Sequence, residues 1–328
     1  MNNIISAEFS RLFKSRIFKI ALIAAAVVSV SFPIYEMILE ISWRSSAPSG
    51  MEVGSSFYEY GFQYCFFVTA PLGFILAVMI SIFVGHEFSN STISNKIISG
   101  HSRPSIYLAY FAACYLGGII IYFSSVVLNM LIQFICFWII SPLYLKRVIT
   151  TAEEVFNHDS MSYEEGTIYF YFISDWGVVI RAFIVVIFLI AVFCALFTFI
   201  VMIAQSKPRS VIICLVAAIA ISSWGEIVSA KVMPVSYDMI YDGNDSIVDI
   251  YEKEESLRGE ALSGADKAIT LFIDDALPYT QGLALNDSYF PKRGFKFILC
   301  DIGIVSLLTA AGILLFTKRD LRSGVKSD

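Results

Sequence analysis

Six runs of apolar side chains, at 17–41, 65–84, 106–140, 176–204, 211–230 and 295–316, constrain this chain more than any other feature. Each is long enough to cross the roughly 30 Å hydrocarbon core of a bilayer as a helix. Lipid offers backbone amides no hydrogen-bonding partner, so a spanning segment must satisfy its own. The expected fold is therefore all-α and integral to the membrane, with six transmembrane helices. Composition agrees: 57% of the 328 residues are hydrophobic, against about 45–50% in soluble domains. The run at 17–41 follows Arg11, Lys14 and Arg16 in the manner of a signal peptide. It is too long for such a segment and no small-residue cleavage site ends it, so it is read as a retained span. The run at 106–140 is either one tilted helix projecting beyond the bilayer or two helices broken near Gly117 and Gly118. All six cysteines fall in or beside apolar runs, which is neither a disulfide framework nor a metal cluster.

Charge orients the bundle. Twelve bases, from Arg11 to Lys326, lie in or beside the N-terminus, the loops 85–104 and 205–210 and the tail 317–328. Only Glu8, Glu87, Asp320 and Asp328 oppose them there. Basic loops stay inside, so both termini are expected in the cytoplasm, and a bacterial plasma membrane is the expected location. Nearly all remaining acids lie in or near 42–64, 141–175 and 231–294, the expected extracellular loops. The net charge of −5 thus divides into a basic inner face and an acidic outer one, and it argues against nucleic acid as a partner. Within 247–277, Ile250, Leu257, Ala261, Ala265, Ile269 and Phe272 recur at helical steps. They predict a small extracellular helical cap. The acids of these loops do not match an EF-hand and are read as a solvated face.

Two segments flank the spans on the inner side. Residues 1–16 form an amphipathic pattern, with Ile5, Phe9, Leu12 and Phe13 on one side and Glu8, Arg11, Lys14 and Ser15 on the other. Such a helix suits the membrane interface and leads into the six-span body 17–316 as an elbow. The loop 85–104 carries a second helical pattern, Phe88, Ile93, Ile97 and Ile98, filled in by Ser89, Ser91, Thr92, Ser94 and Asn95. Serine and threonine are weak helix formers, so this helix must be held by contacts on both sides. Its small residues permit close approach by a partner, with Phe88 and Ile93 placed to enter an apolar cleft. Glu87 is expected near the helix start, where the dipole favours a carboxylate.

Polar groups inside the spans are few. Asp301 and Arg181 lie at similar depth from the outer side and are candidates for an ion pair or for the outer part of a substrate path. Asn129 and Gln133, one turn apart, either line a path or bond a neighbouring helix. Ala109, Ala113 and Gly117 form a small-residue row that permits close packing and marks a candidate dimer seam. Pro33 is expected to bend the first span.

The order of parts resembles permease subunits of the ABC-2 family: an elbow helix, two spans, a Gly-x-Glu-Phe loop leading to a Thr-Ile coupling helix, then four more spans. The matching residues are Gly85, Glu87, Phe88, Thr92, Ile93, Lys96, Ile97, Ser102 and Arg103. The family often carries glycine where this chain has Ser91. Within the family, the chain is most similar to bacterial permeases of peptide-antibiotic (bacitracin or lantibiotic) export and immunity. The resemblance implies a cytoplasmic coupling helix in which Glu87, Phe88, Ser91, Thr92, Ile93, Lys96 and Ile97 meet an ABC ATPase dimer. It also implies a second permease, identical or different, and surrounding membrane lipid. ATP and Mg would be bound by the ATPase, with no cofactor and no catalysis in this chain. The sequence has no Gly-x-x-x-x-Gly-Lys-Ser/Thr, so the ATPase is expected as a separate chain.

Two other classes fit the residues less well. An intramembrane zinc protease needs His-Glu-x-x-His, and the stretch from His86 to Asn90 lacks the second histidine. A secondary transporter, or a membrane sensor with an extracellular ligand-binding cap, remains the alternative, although paired midplane charges are scarce.

Overall fold

The computed structural model describes residues 2–46, 69–148, 153–157, 162–166, 176–232, 258–259, 261–285 and 290–318. Six of its helices are long and apolar enough to cross a membrane, over Arg16–Leu39, Pro71–Ser89, Arg103–Cys136, Ile180–Ala204, Lys207–Val232 and Arg293–Lys318. All six coincide with predicted spans. They belong to α2 (Arg16–Ser46), α3 (Thr69–Ser89), α5 (Arg103–Val148), α6 (Trp176–Ala204), α7 (Lys207–Val232) and α10 (Phe290–Lys318). The predicted start of the second span at 65 and the tail from 319 lie outside the described residues.

Packing grades these spans from core to rim. The most enclosed are α6 and α3, while α7 and α10 are the most open. Tightly packed side chains from α3, α5 and α6, among them Leu76, Ile80, Tyr110, Ile190 and Phe197, are fully buried. Lipid tails are as apolar as these side chains, so helix association depends on close fit and interhelical hydrogen bonds.

The long third run is one helix. α5 has 46 residues, about 69 Å at 1.5 Å per residue, and it passes through Gly117 and Gly118 without a break. Both glycines serve close approach. A Cβ on Gly117 would lie 2.7 Å from Leu12 Cδ2, and one on Gly118 would lie 2.9 Å from Ile190 Cγ2. Ala109 and Ala113 are fully buried within the same chain. The small-residue row is therefore filled from within the chain, by α1 at Gly117.

Asn129 and Gln133 fasten α5 to α2. Pro33 lies inside α2 and has no N–H to give the carbonyl four residues earlier. That carbonyl belongs to Ser29, and Asn129 Nδ2 donates to it at 3.0 Å. Gln133 Nε2 in turn donates to Asn129 Oδ1 at 2.6 Å. The pair supplies from α5 the bond that proline removes from α2.

Shorter elements sit at the two ends of the bundle. One end holds α1 (Asn2–Lys14) and α4 (Thr92–Ile98) and carries Arg11, Lys96 and Arg103; it is the basic end. The opposite, acidic end holds α8 (Gly264–Ala276) and α9 (Pro278–Ala284). A small two-stranded antiparallel hairpin, β1 (Glu153–Asn157) and β2 (Ser162–Gly166), lies between α5 and α6 in the chain.

The helix α8 turns its apolar side outward. α8 covers the second half of the predicted 247–277 segment; residues 247–257 lie outside the described residues. Its apolar Ile269 and Phe272 are exposed, at 58% and 65%, while Thr270 and Asp274 are buried. Ion pairs decide this, because Asp274 is held by two arginines. α9 then sinks among α3, α6 and α7, burying Pro278, Thr280, Gln281, Gly282 and Ala284.

Candidate functional site at the basic end

Ser15 sets the angle between α1 and α2. Its hydroxyl accepts the Phe18 N–H at 3.2 Å, capping the start of α2, and donates to the Leu12 carbonyl at 2.6 Å. α1 is thereby laid against α5. Ile4, Glu8 and Leu12, spaced by four, are buried, so the inward face is rotated from the predicted Ile5, Phe9, Leu12 and Phe13 face. Phe9 and Phe13 instead pack against each other with tilted rings at 4.7 Å between centroids, and Phe13 against Phe18 at 4.6 Å. Glu8 was placed on the polar side by pattern, yet is only 2% exposed.

The reason is a knot of charges. Glu87 is 2% exposed and lies in the last turn of α3, not at a helix start. The helix dipole disfavours a carboxylate there, so other groups must hold it. Arg11 Nη1 donates to Glu87 Oε2 at 2.8 Å, and Arg11 Nη2 to Oε1, a bidentate pair. Tyr110 Oη, from α5, donates to Oε2 at 2.8 Å. Lys96, from α4, reaches Glu87 at 3.3 Å and Glu8 at 2.6 Å, bonds the Tyr110 hydroxyl, and lies 4.5 Å from the Tyr110 ring centroid. Arg11 closes the set with Glu8 at 3.3 Å. Two acids, two bases and a phenol thus join α1, α3, α4 and α5. Burial opposes the Arg11 charge, but its hydrogen bond to Glu87 and the charges of Glu87 and Glu8 outweigh it and raise its pKa.

The turn into α4 is tight. Ser91 adopts φ 55° and ψ 17°, the left-handed region, where an L-residue costs about 1–2 kcal/mol. The seven residues of α4 then run from Thr92 to Ile98. Below it, Gly85 presses against the start of α7: an added Cβ would sit 2.8 Å from Ser210 Oγ and 3.0 Å from Lys207 Cα. Arg103 Nη1 donates to the carbonyls of Phe316 and Thr317, at 3.1 and 3.0 Å, and so caps the last turn of α10.

These contacts sort the predicted residues. Glu87 and Ile93, the latter 1% exposed, are turned into the chain's own core. Lys96 is spent on the charge knot. Phe88, Thr92 and Ile97 are half-buried, and Ser91 is exposed. The accessible surface consists of Ser89, Asn90, Ser91, Asn95, Ser99, Gly100 and His101 around Ile98, which is 82% exposed. Ile93 is therefore closed off inside the chain, and Ile98 is the exposed apolar residue of α4. Sequence reasoning missed Glu8, Arg11 and Tyr110. A signal existed, since Glu8 is the only acid among the first sixteen residues and Lys96 the only lysine or arginine between Glu87 and Arg103.

The two membrane charges do not meet. Asp301 is fully buried and accepts from Gln281 Nε2 at 2.9 Å, whereas Arg181 is exposed. Among the described residues no ion pair joins them. No family model and no curated protein sequence matches the chain.

Proposed function

We propose that the chain is the transmembrane permease subunit of an ATP-driven exporter of the ABC-2 type. The basic end faces the cytoplasm in this reading, with α1 as the elbow and α4 as the coupling helix. One observation carries it: α4 is braced through Lys96 to three other helices, while its outer surface presents Ile98 amid small polar residues. A lever needs both properties, a rigid root and a free contact face. An apolar knob ringed by serines and asparagines fits a shallow groove on a soluble partner. That partner is an ATPase dimer holding ATP and Mg. Its closure pushes α4, and the charge knot passes the displacement to the ends of α3 and α5 and to α1. Two permeases, identical or different, complete the assembly in the lipid. The cargo is a hydrophobic or amphipathic molecule, such as an antimicrobial peptide or drug, entering from the membrane. The bundle opens alternately to its two ends.

The test is co-expression and co-purification with a candidate ABC ATPase. Ile98→Asp should abolish recovery of the ATPase and ATP-dependent export while the permease accumulates normally. Ile269→Asp, on the exposed face of α8, should leave recovery intact. Unchanged binding by the Ile98 variant would defeat the docking assignment.

A further inference from the structure

At the acidic end, four charged side chains neutralise one another. Arg293 Nη2 donates to Asp274 at 2.8 Å and Asp275 at 2.7 Å. Arg258 pairs with Asp274 and meets Asp275 at 3.1 Å. Two bases and two acids close this set.

Asp301 lies outside it, eight residues beyond Arg293 and about 12 Å along α10. It is 0% exposed, as is Gln281 of α9. Gln281 Nε2 donates to Asp301 Oδ1 and to the Asp275 carbonyl, both at 2.9 Å. This leaves two buried atoms without a partner among the described residues, Asp301 Oδ2 and Gln281 Oε1. Both are acceptors, and the pair lacks one donor. A bare carboxylate in such a place carries a desolvation cost that one amide N–H does not offset. A neutral carboxyl brings the missing O–H.

The described residues around the pair offer no other charge to do this. α6 brings Arg181, which is exposed. α8 brings Asp274 and Asp275, already held by arginines. α9 brings Tyr279, whose hydroxyl is bonded to Glu226 of α7. On α10 itself, Lys296 is exposed, Arg293 is spent on the acids, and Cys300 is a thiol. α5 meets α10 near Tyr107 and Gly312, at the basic end.

We propose that Asp301 holds a proton in this conformation and forms with Gln281 a neutral carboxyl–amide pair that fastens the sunken helix α9 to α10. When α9 and α10 part, water reaches Asp301 and the proton leaves to solvent at the acidic end; closure takes one proton back. Where the parted acid is ionised and the closed pair neutral, each unit rise in pH favours parting about tenfold. This goes beyond the transport reading and holds whether or not the chain is a permease.

The experiment uses the full chain purified into lipid nanodiscs. Infrared spectroscopy of the wild type should show a neutral carboxyl stretch that shifts in deuterated water and is missing from Asp301→Asn. The amide of that variant mimics the neutral acid, so it should match the wild type in thermal stability at mildly acidic pH. It should also escape the loss of stability that the wild type suffers as pH rises. Absence of the band from the wild type, or its survival in the variant, would overturn the proposal. So would stability that depends on sodium or potassium through Asp301, which would assign the site to a metal cation. Should Asp301→Asn fail to accumulate, Asp301→Glu, which keeps a carboxyl O–H, should retain the band, and its absence from that variant would overturn the proposal.

Discussion

Ser91 and Arg11 show how single residues set the geometry of the basic end. Ser91 must hold a left-handed backbone for α4 to fold back beneath α3, a conformation in which only glycine meets no Cβ penalty. Replacing Ser91 by Gly should raise stability by about 1 kcal/mol, and Ser91→Val should lower it by at least as much; thermal unfolding in detergent measures both. A fall on introducing glycine would mean that the Ser91 side chain has a role beyond the turn. Arg11 concerns pH. Its folded-state pKa is raised, so its contribution is complete below its ordinary value and is lost only as pH climbs past the folded value. The stability lost in Arg11→Gln should therefore be the same at neutral and moderately alkaline pH, a difference of about 1–2 kcal/mol given that the Arg11 side chain is partly exposed to solvent. A difference that shrank steadily between those conditions would show that a group other than Arg11 governs the knot.

Between helices, α2 and α5 are joined by a hydrogen bond that exists because a proline occurs where it does. If Asn129 serves the carbonyl freed by Pro33, the two residues are coupled. Asn129→Leu should cost about 1–2 kcal/mol in the wild type and clearly less once Pro33→Ala restores an N–H to α2. Equal costs in both backgrounds, read from a double-mutant cycle of unfolding midpoints, would reject the coupling. The same scale shows what the sequence made legible. Apolar runs located all six spanning helices because lipid forces each segment to satisfy its own backbone, so length and hydrophobicity suffice. The helices 2–14 and 92–98 were visible as periodicity, but which face turned inward was not. Glu8 reads as solvent-facing until Lys96, 88 positions later in the chain, is placed beside it. α8 shows the same effect: its apolar stripe is exposed because arginines outside the helix hold its acids inward. Pattern reports amphipathicity, and only tertiary pairing decides which side is the inside. The Asp301 and Arg181 pair failed on partner choice, since Gln281 comes from a sunken helix that carries too few apolar residues to stand out.

For the molecule as a whole, the decisive question is which end faces the cytoplasm. Six crossings place α1 and the end of α10 together, and the Arg103 bonds to Phe316 and Thr317 set the end of the last helix beside the start of α5. That end carries Arg11, Lys96 and Arg103, while the opposite end carries the acids of α8. Moving a base across a membrane against its potential is disfavoured, so short basic loops remain inside. Both assigned ends have accessible positions, Ser99 after α4 and Asp266 in the first turn of α8. In a variant without the native cysteines, Asp266→Cys should react with a membrane-impermeant maleimide on intact cells, whereas Ser99→Cys should react only after the membrane is permeabilised. The reverse pattern would place α4 outside. Ile98 would then be out of reach of any cytoplasmic ATPase, and the transport reading would fail with its lever on the wrong side of the membrane.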